Sequence, residues 1–317
     1  MDVMTEVREP VLLYLEHLGV IDAFEQCCTL VPRSSIADLS AYARGSGRDV
    51  RAVITAGGTP MEEAIWDLQN LGLIACLGVG YDGIDIDRAR ARGVRVTVGR
   101  GVNDEDVADM ALGLLLAAVR QIPQADRMVR AGAWKGELLL PMVPSLSRMR
   151  CGIVGLGAIG SAIGRRLTGF GSSIAWWGPR EKGDAPWPRA ATLADLAADS
   201  DVLIVAAPAT AETEGMIDAR ILKALGPRGY LVNISRGSLV DELALRRALE
   251  TGGITGAGLD VFATEPHDGS FWRDLDTLVM TPHVGAWAER GMAQAKAMCA
   301  SNVSAFLRGD PLPSAIV

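Results

Sequence analysis

Three polar side chains are placed where they could act on one small molecule, because Arg236, Glu265 and His283 each come shortly after a run of apolar residues. Arg236 is a permanently charged fork whose N–H groups suit a carboxylate and a carbonyl oxygen. His283 can give a proton to an oxygen near neutral pH, and Glu265 could orient the imidazole and stabilise its protonated form. The residue types indicate proton transfer to the carbonyl oxygen of a bound carboxylic acid.

The chain contains three histidines, which limits any reaction that needs an imidazole. His17 falls in the stretch Pro10–Gly19, whose pattern predicts a helix, and His267 falls in a polar loop, so neither is expected to be catalytic. Taken singly, the three side chains named above also fit a surface salt bridge, a turn-capping carboxylate and a hydrogen-bonded loop histidine. Their shared position after predicted strands favours the catalytic interpretation, since ligands gather at the carboxyl ends of parallel strands.

A glycine-rich turn points to a cofactor. The segment Cys151-Gly-Ile-Val-Gly155-Leu-Gly157-Ala-Ile-Gly160 is a short apolar strand that leads into Gly-x-Gly-x-x-Gly and then a helical pattern. In this context Gly155 permits the tight turn, Gly157 lets the backbone approach a pyrophosphate, and Gly160 lets helix and strand pack closely. The free N–H groups of the helix face the anion. The turn predicts a dinucleotide site.

The next predicted strand ends without an acidic residue. A site for NAD usually places an acid about 20 residues after the glycines, where it binds the ribose 2′-hydroxyl. Here the chain reads Trp177-Gly178-Pro-Arg180-Glu181-Lys182, and Arg180 or Lys182 could pair with a 2′-phosphate. NADPH is therefore favoured and NAD stays open, because the two cations are also compatible with solvated loop charges while Glu181 binds the ribose.

The elements that must position these residues alternate between strand and helix. Apolar runs predict strands at Ala52–Thr55, Leu73–Leu77, Val94–Val98, Cys151–Val154, Ile174–Trp177, Val202–Ala206, Tyr230–Ile234, Gly256–Leu259 and Thr277–Met280. Helical patterns occupy Asp104–Arg120, Ile159–Thr168, Ala219–Leu225, Glu242–Gly252 and Glu289–Leu307, whereas Ile122–Arg150 is less regular. This alternation predicts the α/β class, with parallel sheets covered by helices on both faces.

The length of 317 residues predicts about two domains. A compact strand–helix series runs from Cys151 to about His283, and the final helical pattern belongs to neither that series nor a new sheet. We therefore expect it to return to the first domain. The predicted division is residues 1–100 with 285–317 as a discontinuous substrate domain, and residues 101–284 as the dinucleotide-binding domain.

Composition excludes several classes of protein. Lysine and arginine number 31 against 38 aspartates and glutamates, a formal net charge of −7, so nucleic acid and anionic membrane are poor partners. The apolar stretch Met110–Val119 is far shorter than the roughly 20 residues of a membrane span. The acidic N-terminal residues argue against a signal peptide and favour a cytoplasmic protein. The five cysteines are odd in number, lack Cys-x-x-Cys and predict buried thiols and no metal site.

The chain from about Gly72 to its end resembles the D-isomer-specific 2-hydroxyacid dehydrogenases, and most of all their glyoxylate, hydroxypyruvate and hydroxyphenylpyruvate reductase branch. The similarity rests on motifs that follow the order of the family: Gly78-Val-Gly-Tyr-Asp-Gly-Ile-Asp85, Asp106-Val-Ala-Asp109, the glycine turn, Ala207-Pro208, Asn233-Ile-Ser-Arg-Gly237, Ala257-Gly-Leu-Asp-Val-Phe262, Glu265-Pro266 and Pro282-His283. It implies two Rossmann-like, doubly wound parallel-sheet domains separated by a cleft that closes on the cofactor.

The resemblance also implies a reaction and a set of site residues. The reaction is reduction of a small 2-oxoacid to the D-2-hydroxyacid, with Arg236 on the carboxylate and keto oxygen, His283 as proton donor and Glu265 as its partner. Backbone N–H groups around Val79 and Gly80 would hold the carboxylate. The implied cofactor-binding residues are Gly155, Gly157, Ala158, Ile159, Gly160, Gly178, Arg180, Pro208, Thr213, Ile234, Ser235, Arg236, Asp260, His283 and Gly285, with Asp260 and the Ile234 carbonyl region at the nicotinamide amide.

Two segments depart from the family pattern. Val284-Gly-Ala-Trp287-Ala288 stands where the family often has Gly-Ser-Ala-Thr, which removes a hydroxyl beside the substrate and adds an indole. Trp287 is therefore a candidate substrate-binding residue, and the identity of the oxoacid stays open. Gly99-Arg100-Gly101 replaces the commoner Thr-Pro-Gly, and Arg100 has no assigned role.

Other functions are compatible with the same motifs. One is a 2-ketogluconate-type or other D-2-hydroxyacid dehydrogenase that uses NADH. A second is a related dehydrogenase of the same fold, such as a phosphoglycerate or formate dehydrogenase. Another class is a dinucleotide-sensing binding protein like the dehydrogenase-related corepressors. The resemblance further implies a homodimer, with the long helix and the segment Ile122–Arg150, including Trp134 and Leu138–Leu140, packed across its interface.

Overall fold

The computed structural model describes residues 8–16, 21–24, 27–136 and 140–317, which form two compact units. The first unit ends at Asn103 and takes up the chain again from Ala288 to Val317, and the second unit is Asp104–Trp287. The sequence predicts that the first unit ends at residue 100 and resumes at residue 285, and each of these boundaries lies three residues before the observed one. His17 and three residues of the expected interface segment, Glu137, Leu138 and Leu139, lie outside the described residues.

The described part of the first unit contains a five-stranded parallel sheet in the order β2-β1-β3-β4-β5. Its strands are β1 (Pro10–Leu13), β2 (Thr29–Pro32), β3 (Ala52–Thr55), β4 (Leu73–Cys76) and β5 (Arg95–Thr97). Every neighbouring pair is parallel. Residues of β3 and β4 are buried throughout, because helices and loops cover both faces of the sheet.

The second unit contains a six-stranded parallel sheet in the order β11-β10-β9-β8-β6-β7. Its strands are β6 (Arg150–Val154), β7 (Ser173–Trp177), β8 (Val202–Val205), β9 (Tyr230–Asn233), β10 (Gly256–Leu259) and β11 (Leu278–Met280). The chain leaves β6 for β7 on one side and then crosses to β8 on the other. The carboxyl end of β6 is therefore the topological switch point, where ligands bind in sheets of this kind.

Nine α-helices lie within the described residues: α1 (Leu39–Arg44), α2 (Ile86–Ala91), α3 (Asp104–Val119), α4 (Ile122–Arg130), α5 (Ala158–Gly169), α6 (Leu193–Ala198), α7 (Ala219–Leu225), α8 (Glu242–Glu250) and α9 (Glu289–Arg308). In the second unit, alternate residues of each strand face opposite layers of helices. On β8, Val202 and Ile204 join the cluster that contains α3 and α5, while Leu203 and Val205 join the cluster that contains α6, α7 and α8. Among the helices of the described residues, none combines the length and the apolar character of a membrane span.

The two parallel sheets confirm the predicted fold class, and two local predictions are wrong. Pro10–Leu13, expected to begin a helix, is a strand between β2 and β3 with three of its four residues buried. A strand buried on both faces is a continuous apolar run, which periodicity cannot distinguish from a buried helix. The stretch Ile122–Arg150, expected to be irregular, begins with α4, in which Pro123 occupies the first turn, where proline is tolerated.

Candidate active site

Arg236 follows β9, and its loop is fixed by the side chain of Asn233. Asn233 is buried; its amide donates to the Arg236 carbonyl oxygen at 2.9 Å and its oxygen accepts from the Ser235 N–H at 3.1 Å. The Ser235 hydroxyl donates to the carbonyl oxygen of Ala207, which follows β8. The backbone that carries the Arg236 guanidinium is therefore tied to two neighbouring strands.

Gly237 brings this loop against the segment that leads to Glu265. A Cβ atom built on Gly237 would lie 1.8 Å from the carbonyl carbon of Phe262 and 2.2 Å from the Ala263 nitrogen. Only glycine permits this approach of two backbones. From the sequence, Gly237 is expected to relieve crowding beside Arg236, and in the structure it also sets the spacing between two of the three candidate catalytic residues.

Glu265 and His283 form a close pair at the carboxyl ends of β10 and β11. His283 Nδ1 lies 2.6 Å from Glu265 Oε2, and Glu265 Oε1 accepts the Phe262 N–H at 2.7 Å. An ionised carboxylate can only accept, so Nδ1 is the donor and Nε2 is the ring nitrogen that remains for a substrate. Both side chains are partly exposed, at 44% for His283 and 32% for Glu265, so a small molecule can reach them.

The electrostatic surroundings of Glu265 favour its charged form. Partial burial acts to raise the pKa of the carboxyl. The hydrogen bonds from His283 and from the Phe262 N–H act in the opposite direction, as do the positive charges of His283 and Arg236. Together they outweigh the effect of burial and hold the pKa below its usual range. Glu265 is therefore ionised at neutral pH. A carboxylate beside an imidazole stabilises the imidazolium, which is the form that can donate a proton.

The glycine turn after β6 fits the pyrophosphate of a dinucleotide. Gly155 has φ +92°, which side chains rarely adopt, and a Cβ on Gly160 would lie 2.1 Å from the Gly155 carbonyl oxygen. A Cβ on Gly157 would meet no atom within 4 Å, so this position is open to a ligand. Gly157 is the N-cap of α5 and no side chain caps the first-turn N–H groups, including those of Ala158 and Ile159. These donors can bind phosphate oxygens.

The loop after β7 carries the cations expected to meet the adenosine ribose. Gly178 is buried and Arg180 is exposed. Lys182 Nζ donates to the carbonyl oxygen of Leu156, inside the glycine turn, so this ammonium group lies over the turn. Arg189 donates two hydrogen bonds to the Gly178 carbonyl oxygen, at 2.7 and 3.2 Å, and pairs with Glu181 at 3.6 Å.

The remaining predicted residues lie at several places. Pro208 and Thr213 lie in the loop after β8, where the Thr213 hydroxyl donates to the Pro208 carbonyl oxygen at 2.9 Å. Trp287 is 61% exposed at the end of the second unit. Val79 and Gly80 follow β4 and belong to the first unit. The second unit therefore contains every predicted catalytic and cofactor-binding residue.

Three residues that shape this site were not predicted from the sequence. Asn233 occurs in a quoted motif but received no role, although a buried asparagine at a strand end commonly fixes the following turn. Arg189 lies seven residues beyond the predicted ribose loop, too far along the chain to be associated with it. Thr281 precedes Pro282-His283, and its hydroxyl donates to Asp260 Oδ1 at 2.5 Å.

Comparisons with known proteins identify the family of this chain. The family model described as D-isomer specific 2-hydroxyacid dehydrogenase, NAD binding domain, matches residues 112–285. Glyoxylate/hydroxypyruvate reductase A of Arabidopsis thaliana is 38% identical over 270 residues, which cover 84% of this chain and 86% of that protein. A 2-ketogluconate reductase of Gluconobacter oxydans is 37% identical over 278 residues, with 87% and 88% covered.

A solved structure of a similar reductase matches this chain over almost its whole length. The NADPH-dependent glyoxylate/hydroxypyruvate reductase of Sinorhizobium meliloti, in complex with NADP and malonate, has a TM-score of 0.90 and 34% identity, and the match covers 98% of this chain and 97% of that one. The family model spans more than half of the chain, and the relatives named above are reductases. These findings confirm the resemblance inferred from the motifs. The chain belongs to the D-isomer-specific 2-hydroxyacid dehydrogenase family of oxidoreductases.

Proposed function

We propose that this protein reduces a small 2-oxoacid with NADPH, either glyoxylate to the achiral glycolate or hydroxypyruvate to the D-2-hydroxyacid. The observation that carries the proposal is the His283–Glu265 pair, 2.6 Å apart, in the same unit as Arg236 and the open glycine turn. The relatives named as glyoxylate/hydroxypyruvate reductases support this substrate class over a dinucleotide-sensing binding protein.

Each residue has a separate task in this reaction. The reduced nicotinamide, when bound, supplies a hydride to the keto carbon. Arg236 holds the carboxylate and the keto oxygen, and its charge stabilises the negative charge that develops on that oxygen. His283 Nε2 delivers the proton, and the oxoacid has then gained one hydride and one proton. Glu265 keeps the ring in place and stabilises the imidazolium before transfer.

The preference for NADPH is part of the proposal. No acidic residue ends β7, and Glu181, the nearest acid, pairs with Arg189. Arg180 is exposed on the same loop, and Lys182 reaches the glycine turn. A 2′-phosphate would meet cations here, and charge-assisted hydrogen bonds would hold it.

We expect Arg180→Ala to lower kcat/KM for NADPH roughly 10- to 100-fold, which is the effect of removing a hydrogen bond between charged groups. The value for NADH should stay within about twofold of the wild type, because NADH has no 2′-phosphate. Arg220→Ala is the matched control, since Arg220 is an exposed arginine of α7 paired with Asp218. A wild-type preference for NADH, or equal losses with both cofactors, would contradict the assignment.

The substrate is tested by steady-state kinetics with NADPH on a panel of oxoacids. The panel contains glyoxylate, hydroxypyruvate, a phenylpyruvate-type acid and 2-ketogluconate. We expect the highest kcat/KM with glyoxylate or hydroxypyruvate. The similarity to a 2-ketogluconate reductase makes 2-ketogluconate the second candidate substrate. A higher kcat/KM with 2-ketogluconate would show that it, and not glyoxylate or hydroxypyruvate, is the preferred substrate.

We also propose that the protein is a homodimer. The region from α4 onward exposes large apolar side chains, including Ile122, Val129 and Trp134, which are more than half exposed. A patch of this kind typically marks a protein interface, and a second copy of the chain is the occupant that the family resemblance implies.

Light scattering should give about twice the chain mass of 33.5 kDa at micromolar concentration. Val129→Asp should shift the equilibrium toward the monomer, because it places a charge inside the apolar contact. A wild-type protein that is monomeric at this concentration would refute the dimer.

A further inference from the structure

The backbone of His283 adopts a conformation that needs external support. Its φ is +53°, in the left-handed region, where residues other than glycine are uncommon. Such a conformation persists only where surrounding contacts determine it, and it is often found at active sites. The place of the imidazole therefore depends on what holds residues 281–285.

A buried carboxylate holds this segment on both sides of His283. Asp260, at the end of β10, is 2% exposed. Its Oδ1 accepts the Thr281 hydroxyl at 2.5 Å and the Val284 N–H at 2.9 Å, and its Oδ2 accepts the Gly285 N–H at 2.8 Å. The Asp260 carbonyl oxygen also accepts the His283 N–H at 2.8 Å. A single residue thus binds the chain before, at and after the histidine.

The Thr281 hydroxyl differs from the other donors in one respect. Val284 and Gly285 donate through backbone N–H groups, which any residue except proline would supply. The hydroxyl depends on residue type, and it is the donor on the β11 side of His283. Its proton goes to Asp260, since the other atom within reach is the weakly accepting Sδ of Met110 at 3.8 Å.

We propose that Thr281 is a positioning residue for the reduction. Its hydroxyl fixes the Asp260 carboxylate, which in turn fixes the backbone on both sides of His283 and so the place of the proton on Nε2. A carboxylate has about four acceptor sites, and three are used here, so the remaining site on Oδ2 can still accept an amide N–H of the cofactor. The inference rests on the proposed function, because it requires His283 to be the proton donor.

The kinetic consequence is a loss in kcat with little change in KM. Thr281→Val keeps the branched shape and removes the donor, so the imidazole is held less firmly at the moment of proton transfer. Arg236 and the glycine turn belong to other elements, so the KM for the oxoacid and the contacts to the NADPH pyrophosphate should not change. We expect kcat to fall about 10- to 100-fold, the size of one hydrogen bond to a charged group.

Two further variants separate positioning from a structural role. Thr281→Ser keeps the hydroxyl and should recover kcat to within about threefold of the wild type. Thr255→Val is the matched control, because the Thr255 hydroxyl donates to the Pro227 carbonyl oxygen, at 2.9 Å, and this hydrogen bond lies away from the site.

The solvent deuterium isotope effect on kcat should increase in Thr281→Val, since proton transfer then limits the rate more strongly. The Kd for NADPH, measured by fluorescence, shows whether the variant is folded, and Thr281→Ala replaces the valine variant if it is not.

Several results would overturn the proposal. They are an unchanged kcat in Thr281→Val, a serine variant as slow as the valine variant, an unchanged isotope effect, or a loss that lies in KM. His283→Ala, assayed in parallel, tests the proton donor separately from the role of Thr281. If His283→Ala is inactive and Thr281→Val is normal, only the role of Thr281 is wrong. If His283→Ala retains normal turnover, the proposed proton donor is wrong and the role of Thr281 is wrong with it.

Discussion

Arg236→Ala should lower kcat/KM for the oxoacid by about three orders of magnitude or more. The variant loses the fork that binds the carboxylate and also the charge that stabilises the developing alkoxide. Removal of one preorganised donor to such an oxygen typically costs 10²- to 10³-fold, and loss of carboxylate binding adds to this. The measurement is steady-state kinetics with saturating NADPH.

Two further variants make the Arg236 experiment specific. Arg236→Lys keeps the charge but not the fork, so we expect activity between that of the wild type and that of the alanine variant. Arg220→Ala, used above as the cofactor control, should again behave as the wild type. Near-normal kcat/KM in Arg236→Ala would refute the assignment of the substrate carboxylate and keto oxygen to this residue.

His283→Ala is the second change with a large expected effect. It removes the proton donor and leaves Glu265 without its partner, so kcat should fall by about two to four orders of magnitude, the range for general acid catalysis. Binding of NADPH should persist, because the glycine turn and the ribose loop are unaffected. A variant that binds NADPH and still turns over at nearly the wild-type rate would remove His283 from the mechanism.

The same variant also has a predicted effect on acid stability. In the wild type the pKa of Glu265 lies below its usual range, so its contribution to the free energy of unfolding is present above the unfolded pKa and is lost as pH falls through the folded pKa. In His283→Ala the hydrogen bond and charge of His283 are gone while the effect of burial remains, so the pKa of Glu265 rises. Acid unfolding followed by circular dichroism should therefore begin at a higher pH.

Much of the fold could be predicted because its elements carry local signals. β3 and β10 have the bounds expected from their apolar runs, and the glycine turn leads from β6 into α5 as predicted. The short helix α6 was missed although Thr192 and Asp195 form a capping box, a pattern that can be read from sequence. β2 was missed because it is an edge strand, with one residue exposed and three partly buried, so it lacks a buried apolar run.

The residues of the site could be predicted from the sequence, but most of the contacts that hold them could not. Arg236, Glu265 and His283 were recognisable because each follows a strand end, where parallel sheets place their functional groups. The left-handed backbone of His283 and its support by Asp260 depend on hydrogen bonds between β10 and the segment after β11, which no spacing along the chain specifies. The same is true of Arg189, which reaches Gly178 only because the chain folds back beside β7.

The central claim is that this protein transfers a hydride to a 2-oxoacid to give the D isomer. Its most direct test is chiral analysis of the product formed from hydroxypyruvate and NADPH, together with the amount of NADPH consumed. We predict one D-glycerate for each NADPH oxidised, and at most about a thousandth as much product with Arg236→Ala in the same time. Formation of L-glycerate, or the absence of turnover with every oxoacid of the panel and both reduced cofactors, would contradict the account.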